Sequence, residues 1–262
     1  MKVGLVLSGG AMYGLAHIGV LKALEKSNIK IDIITGTSMG AIIGGLYSCG
    51  VSTREMDEIL QNFSMSKIID FSIFGIRNKG LVNGAKAIDF FESIIGKKRI
   101  EKQKIKFACI ATDLKSGKEY HFKKGKVSIA MRASMSVPAL FKPVELSDMV
   151  LVDGGLVNNL PVDLARSMGA DVVISVDVCS FYKSQNELKS PLDILLSSSN
   201  LALSKMTSVQ KDKGDICIMI NSVGIPFEKF SYEFALKSIS LGETETTLLI
   251  KNIQKLVKKR PK

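Results

Sequence analysis

Only two histidines, His17 and His121, occur in the 262 residues, so chemistry that needs an imidazole has two candidates and a histidine-built metal site has too few ligands. The four cysteines, Cys49, Cys109, Cys179 and Cys217, sit singly in apolar runs such as "FACIA" and "ICIMI". None shares a C-x-x-C spacing, which argues against a zinc ribbon or a disulfide framework and predicts reduced, buried thiols. The six prolines are scattered, and no Pro/Ser/Gly-rich linker divides the chain. With 46% hydrophobic residues, one large core and a single domain over 1–262 is the economical expectation. The uncharged stretches 3–21 and 33–53 are broken by glycines and hydroxyl residues, so they read as strand-turn-helix units rather than membrane spans. A strand-like "KVGLVL" stands where a signal peptide would carry its basic and apolar regions, so a cytoplasmic location is expected.

What is abundant is positive charge. The net charge is +11, and residues 97–126 hold eleven Lys/Arg against three acids, while 251–262 hold six against none. Such patches either form solvated faces or meet something anionic. No nucleic-acid motif accompanies them, so a peripheral contact with an anionic lipid surface is the preferred partner reading. Nothing in the sequence addresses oligomeric state.

Hydrophobic periodicity predicts a strand at 2–7, a helix over about 12–26, a strand at 31–35 and a helix over 39–48. Further on it predicts a strand at 105–112, a hairpin around 115–122 turning at Ser116-Gly117, a helix at about 126–135 and short strands near 144–152. A helix at 160–168, the buried strand "ADVVISVDV", a helix at 193–209 and a strand at 215–220 follow. Residues 63–84 show neither period and read as a lid-like segment or an irregular piece of core. In the C-terminal stretch Leu249, Ile253, Leu256 and Val257 share one face, as expected of a docked or surface-adsorbed amphipathic helix. This alternation implies a three-layer α/β/α sandwich on a mostly parallel sheet, with its site beyond the carboxyl ends of the strands.

Three features carry candidate chemistry. Gly36-Thr37-Ser38-Met39-Gly40 is a G-x-S-x-G run between a strand and a helix, the context in which flanking glycines let a serine oxygen stand clear of a sharp turn. Ser38 would then lie at a helix N-terminus, where free N–H groups favour a developing alkoxide. The bland alternative is an N-cap serine. Ser38 needs a base: His17 falls on a helix and reads as structural, while His121 could join Asp113 in a triad from a short basic hairpin. Asp153, ending the strand "MVLVD" before Gly154 and Gly155, could instead take the proton directly, or it could be an ordinary Asp-Gly turn. The first turn, Ser8 to Gly14, places Gly9, Gly10, Ala11 and Met12 where N–H groups could form an oxyanion hole. The same turn could hold a dinucleotide pyrophosphate, with Asp32 as ribose ligand.

Taken in order, "LVLSGGAMYGLAHIGVLKALEK", "GTSMGAIIGGLYSCG", "RASMSVPALFKPVEL" and "LVDGGLVNNLPVDLARSMGADVVISVDV" resemble the patatin-like phospholipase family, particularly its small bacterial members, over about residues 3–180. The resemblance implies a serine acyl hydrolase acting on lipid esters, with Ser38 as nucleophile, Asp153 as its dyad partner, and the Gly9–Met12 turn as oxyanion hole. Gly14, Gly36, Gly40, Gly154 and Gly155 support the turns, and neither a metal nor a cofactor is needed. The segment Arg132–Pro143 is expected to border the site. Two positions depart from the family pattern: Ala11 stands for a glycine and Tyr13 for a basic residue. An alanine keeps its backbone donor provided its φ is negative. These departures motivate an alternative, a catalytically silent lipid-binding or regulatory protein on the same fold.

Overall fold

The computed structural model describes residues 1–70, 82–179, 191–221 and 231–258. Its centre is an eight-stranded sheet. The strands are β1 (Val3–Leu7), β2 (Ile33–Thr37), β3 (Lys106–Asp113), β4 (Lys118–Phe122), β5 (Val144–Leu146), β6 (Met149–Asp153), β7 (Val172–Asp177) and β8 (Ile216–Met219). Their order is β5-β6-β3-β2-β1-β7-β8, with β4 also on β3. The run β3-β2-β1-β7-β8 is parallel throughout, and β4, β5 and β6 add an antiparallel end.

Alternate residues of the central strands face opposite layers, as the two-residue period of a strand requires. Leu5, Leu7, Ile34, Ile174 and Val176 join the larger core, whereas Val6, Ile33 and Val173 join a smaller one with Leu160, Val162 and Ala165. Both faces are therefore covered, which is why every residue of β1, β2 and β7 is buried. The larger core is filled by α1 (Ala16–Lys26), α2 (Met39–Ser48), α5 (Val127–Ser134) and α8 (Tyr232–Lys258), and the smaller by α6 (Val162–Ser167). A further helix, α7 (Pro191–Gln210), lies against the loop after β6, where Leu203 abuts Gly155.

The expected docked C-terminal helix is present but begins earlier, at Tyr232, and buries Ile253. It crosses α1 at very short range. A Cβ built on Gly19 would stand 1.9 Å from the Ile239 carbonyl oxygen, and one on Gly242 would stand 2.0 Å from that of Ala16. Only glycine permits this backbone-to-backbone approach. Lys26 and Glu243 close the same seam with an ion pair.

Three sequence expectations change. The helix expected from residue 12 starts as a 3-10 turn, Ala11–Leu15, before α1. Two helices absent from the sequence reading add to the larger core: α3 (Thr53–Gln61), packed against α1 and α8, and α4 (Ala85–Ile95), packed against α5. All four thiols are free as expected, but Cys179 and Cys217 are only half-buried, because they lie at the end of β7 and on the outer strand β8. Of the segment 63–84, residues 71–81 lie outside the described residues; Phe63, Met65 and Ile68 form part of a cavity wall.

Candidate active site

The register of β3 explains how two residues 115 positions apart come to touch. Cys109 and Ile110 pair with β2 and with β4 at once, so those strands occupy opposite edges of β3. Ala111 to Asp113 pair with β4 and β6 at once, so β6 takes the edge that β2 has just vacated. Because β2 runs parallel to β3 and β6 antiparallel, the two meet end to end. Thr37 lies opposite Ile110 and Asp153 opposite the next residue, Ala111.

At that junction Ser38 Oγ donates to Asp153 Oδ2 at 2.7 Å. Ser38 caps α2 with φ 53° and ψ −121°, a conformation that costs a non-glycine residue of order 1–3 kcal/mol. The flanking glycines make the turn possible. A Cβ on Gly36 would meet the Gly40 carbonyl oxygen at 2.5 Å, and one on Gly40 would meet that of Leu7 at 2.2 Å. The Ser38 N–H is held by Ser134 Oγ at 2.9 Å, and the Ser134 hydroxyl in turn donates to the Ile110 carbonyl.

Asp153 is 8% exposed. Its other carboxylate oxygen accepts the Gly155 N–H at 2.8 Å, and its backbone N–H donates to the Ser136 carbonyl at 2.9 Å. Burial pushes its carboxyl up to about 6, against the opposing pull of the Ser38 and Gly155 hydrogen bonds. A carboxylate with that affinity is largely ionised at neutral pH yet a far better proton acceptor than an exposed one. Gly154 lets the loop close over β3, since a Cβ there would meet the Ile110 carbonyl oxygen at 2.3 Å.

The first turn lies directly beside the serine: a Cβ on Gly9 would stand 3.1 Å from Ser38 Cβ. Its N–H groups divide into two sets. That of Gly9 donates to the Asn159 carbonyl at 3.3 Å, which anchors the turn. Those of Gly10, Ala11 and Met12 have no acceptor among the described residues, as expected ahead of and within the first turn of a helix. The four expected donors thus reduce to three that are available. Gly10 is required by a neighbour, since a Cβ there would meet Val178 Cγ2 at 2.2 Å. The condition of a negative φ is not met at Ala11, which lies at +47°, in the left-handed region, at a cost of about 1 kcal/mol relative to glycine; its N–H nonetheless has no acceptor among the described residues. Tyr13 stacks edge-on against Phe234 of α8, with ring centroids 5.6 Å apart, and Gly14 makes room for the Met39 side chain.

Both histidines lie away from this chemistry. His17 is fully buried beneath the turn, and its Nε2 bonds to the Ser8 carbonyl at 2.8 Å. Burial pulls it down to about 4, so it is neutral and Nε2 carries the proton. His121 pairs with Glu119 on β4, across β3 from Ser38, while Asp113 is engaged by Ser116 and by the N–H groups of Lys115 and Val150. No Ser38–Asp113–His121 triad is assembled. Asp32 precedes β2, at the opposite end of the strand from the glycine turn, and accepts the Val3 N–H. It cannot reach a ligand held by that turn.

Several contributors escaped the sequence reading. Asn159 reaches back with Nδ2 to the Gly9 carbonyl and to Thr207 of α7, so it clamps the turn, yet in sequence it is half of a loop-like Asn-Asn pair. Arg132 is 2% exposed and donates to Ser136 Oγ and to the carbonyls of Asn83, Gly84 and Lys142. It fixes the segment that holds both the Ser38 and Asp153 N–H groups. Burial pulls its guanidinium down to about 10, with nearby Asp70 opposing, so it remains charged. The Arg132–Pro143 stretch borders the site as expected.

Ser38 opens into a cavity of about 400 Å³ walled by α2, α3, α4, the 3-10 turn at Ala11–Leu15 and Met135–Phe141. Its lining is Met, Leu, Ile, Val, Phe and Ala, with Ser38 the one polar side chain among the described residues. Among the described residues no cluster of His, Cys, Asp and Glu could hold a metal ion, and no helix is long and apolar enough to cross a membrane.

Known proteins resemble this chain in sequence and in fold. An uncharacterised NTE family protein of Mycobacterium tuberculosis is 33% identical over 183 residues, covering 68% of this chain and 49% of the relative. A protein of Aspergillus fumigatus named lysophospholipase nte1 is 38% identical over 182 residues, 68% of this chain but 12% of the relative. The chain thus spans half or less of the length of these relatives. Among solved structures, VipD from Legionella pneumophila superposes with a TM-score of 0.62 at 15% identity, covering 96% of this chain and 67% of that one, which is a likeness of fold. The family model for patatin-like phospholipase matches residues 5–166, the span that carries Ser38, Asp153 and the first glycine turn. The chain belongs to the patatin-like phospholipase family.

Proposed function

We propose that the chain is a serine acyl hydrolase that cleaves carboxylic ester bonds of lipids through a Ser38–Asp153 dyad. The observation that carries the reading is the 2.7 Å hydrogen bond from Ser38 Oγ to the buried Asp153 carboxylate, Ser38 being the one polar side chain among the described residues that line an apolar cavity. Asp153 takes the Ser38 proton as Oγ attacks the ester carbonyl, and the free N–H groups of Gly10, Ala11 and Met12 receive the oxyanion. The C–O bond to the alcohol breaks, the proton on Asp153 passes to the leaving oxygen, and an acyl-enzyme remains. Water adds to it, giving up a proton to Asp153, and a carboxylic acid leaves as Ser38 regains its proton.

The apolar walls suit an acyl chain, and the relatives named lysophospholipase support a lysophospholipase- or phospholipase A-type ester substrate. All the cationic side chains of residues 97–126 except Lys126 are exposed, which supports a peripheral contact with anionic lipid. The experiment is hydrolysis by the wild-type protein of a soluble ester and of a lysophospholipid carried on anionic vesicles. Turnover of both is expected, with only the vesicle reaction falling as salt rises. No turnover of any ester by folded protein would overturn the hydrolase and favour the silent lipid-binding alternative that Ala11 and Tyr13 motivate. Salt-insensitive vesicle turnover would overturn the electrostatic contact.

A further inference from the structure

The cavity at Ser38 is directional. Met39, Ile42, Ile43 and Leu46 line it from one face of α2, at the helical spacing i, i+3, i+4, i+7. A chain bound at Ser38 would therefore follow α2 for about 10 Å, the rise of seven helical residues. That length accepts about eight carbons of an extended alkyl chain, given the spacing of C–C bonds.

Where this path reaches α3 and α4 it meets a partition. Ile59, Phe90 and Ile94 line the cavity, and the same three side chains line a second pocket of about 420 Å³. Among the described residues that second pocket is completed by Val51, Glu55, Glu58, Asn62 and Lys67, of which the four polar ones are exposed. Each of the three shared side chains is half-buried, as befits a wall with a dry side and a wet side. Phe90 is the largest of them, and its ring meets Phe63 edge-on at 5.6 Å and Phe91 at 6.1 Å. Rotation of this one ring toward solvent would join the two spaces.

We infer that Phe90, backed by Ile59 and Ile94, is the end wall that sets the acyl-chain length the site accepts. This rests on the reading that the cavity receives the acyl chain of an ester attacked by Ser38. Chains of about eight carbons stop at the ring, and longer ones must displace it into the second pocket.

The test compares kcat/KM for p-nitrophenyl esters of about four to about sixteen carbons in wild type, Phe90→Ala and Phe90→Trp. The ratio of long-chain to short-chain kcat/KM is expected to rise roughly tenfold or more in Phe90→Ala and to fall in Phe90→Trp. Phe90→Leu keeps more packing volume and serves the same comparison if the alanine variant does not fold. A length profile that is the same in every folded variant would overturn the inference. If wild type turns over no ester at all, it is the hydrolase reading that falls. Binding of fluorescent fatty acids of the same lengths to Ser38→Ala protein, with and without Phe90→Ala, then decides the wall: a gain confined to long chains supports it, and a gain independent of length overturns it.

Discussion

Ser38→Ala is expected to lower kcat/KM for ester hydrolysis by roughly a thousandfold or more, without loss of the fold. The size follows from the site, where Ser38 is the one hydroxyl among the described residues that donates to the Asp153 carboxylate. Cys179, the nearest thiol to the turn, bonds to the Gly9 carbonyl through Sγ and is pushed up to about 12 by burial and by Asp177, so it offers almost no thiolate. The fold survives because Ser38 Oγ serves only Asp153 in the structure, while its backbone is held by Ser134. Activity on a soluble ester, beside a urea titration of both proteins, checks the pair. Residual turnover within about tenfold of wild type would remove Ser38 from the chemistry.

Asp153→Asn is expected to lower the rate by roughly a hundred- to ten-thousandfold and, at neutral and alkaline pH, to raise stability. Both effects come from one buried charge. The carboxyl titrates at about 6 in the folded protein, above its value of about 3.9 in the unfolded chain. The folded state therefore holds the proton more tightly. The stability this confers is complete below pH about 4 and is lost as pH rises through about 6, leaving roughly 2–3 kcal/mol less stability when Asp153 is ionised. Asparagine does not titrate, so the variant should gain on wild type progressively from pH about 4 to above 6. Activity has the opposite dependence, because only the ionised carboxylate accepts the Ser38 proton. Wild-type kcat/KM should fall on the acid side through about 6. Unfolding midpoints and rates across this range test both signs, and a stability difference independent of pH would contradict the buried-charge account.

Much of this was legible in the sequence, for physical reasons that differ by residue. The alternation of apolar strands and amphipathic helices fixed the parallel half of the sheet, and α2 falls at 39–48 as read. Ser38 stood out because two backbone contacts tighter than a Cβ permits leave only glycine at 36 and 40. Asp153 was legible as a strand end beside glycines, but its contact with Ser38 depends on β6 continuing the edge of β3 that β2 vacates, which no local pattern encodes.

The cavity was illegible because its wall is assembled from α1, α2, α3, α4 and three further segments, at 11–15, 63–68 and 135–141. Signals for the missed helices existed. Ser52 and Glu55 form a reciprocal capping box at the start of α3, and Ala87, Phe91 and Ile95 repeat at helical spacing along α4. Ala11 shows the limit from the other side: its residue type argued for a negative φ, but the geometry of the turn imposes +47°.

The most direct test of the central claim is covalent. Wild-type protein treated with an alkyl fluorophosphonate, digested and weighed by peptide should carry one adduct, on Ser38, and Asp153→Asn should acquire it far more slowly. A folded protein that takes no label, or takes it elsewhere with Ser38 unmodified, would contradict the Ser38–Asp153 dyad.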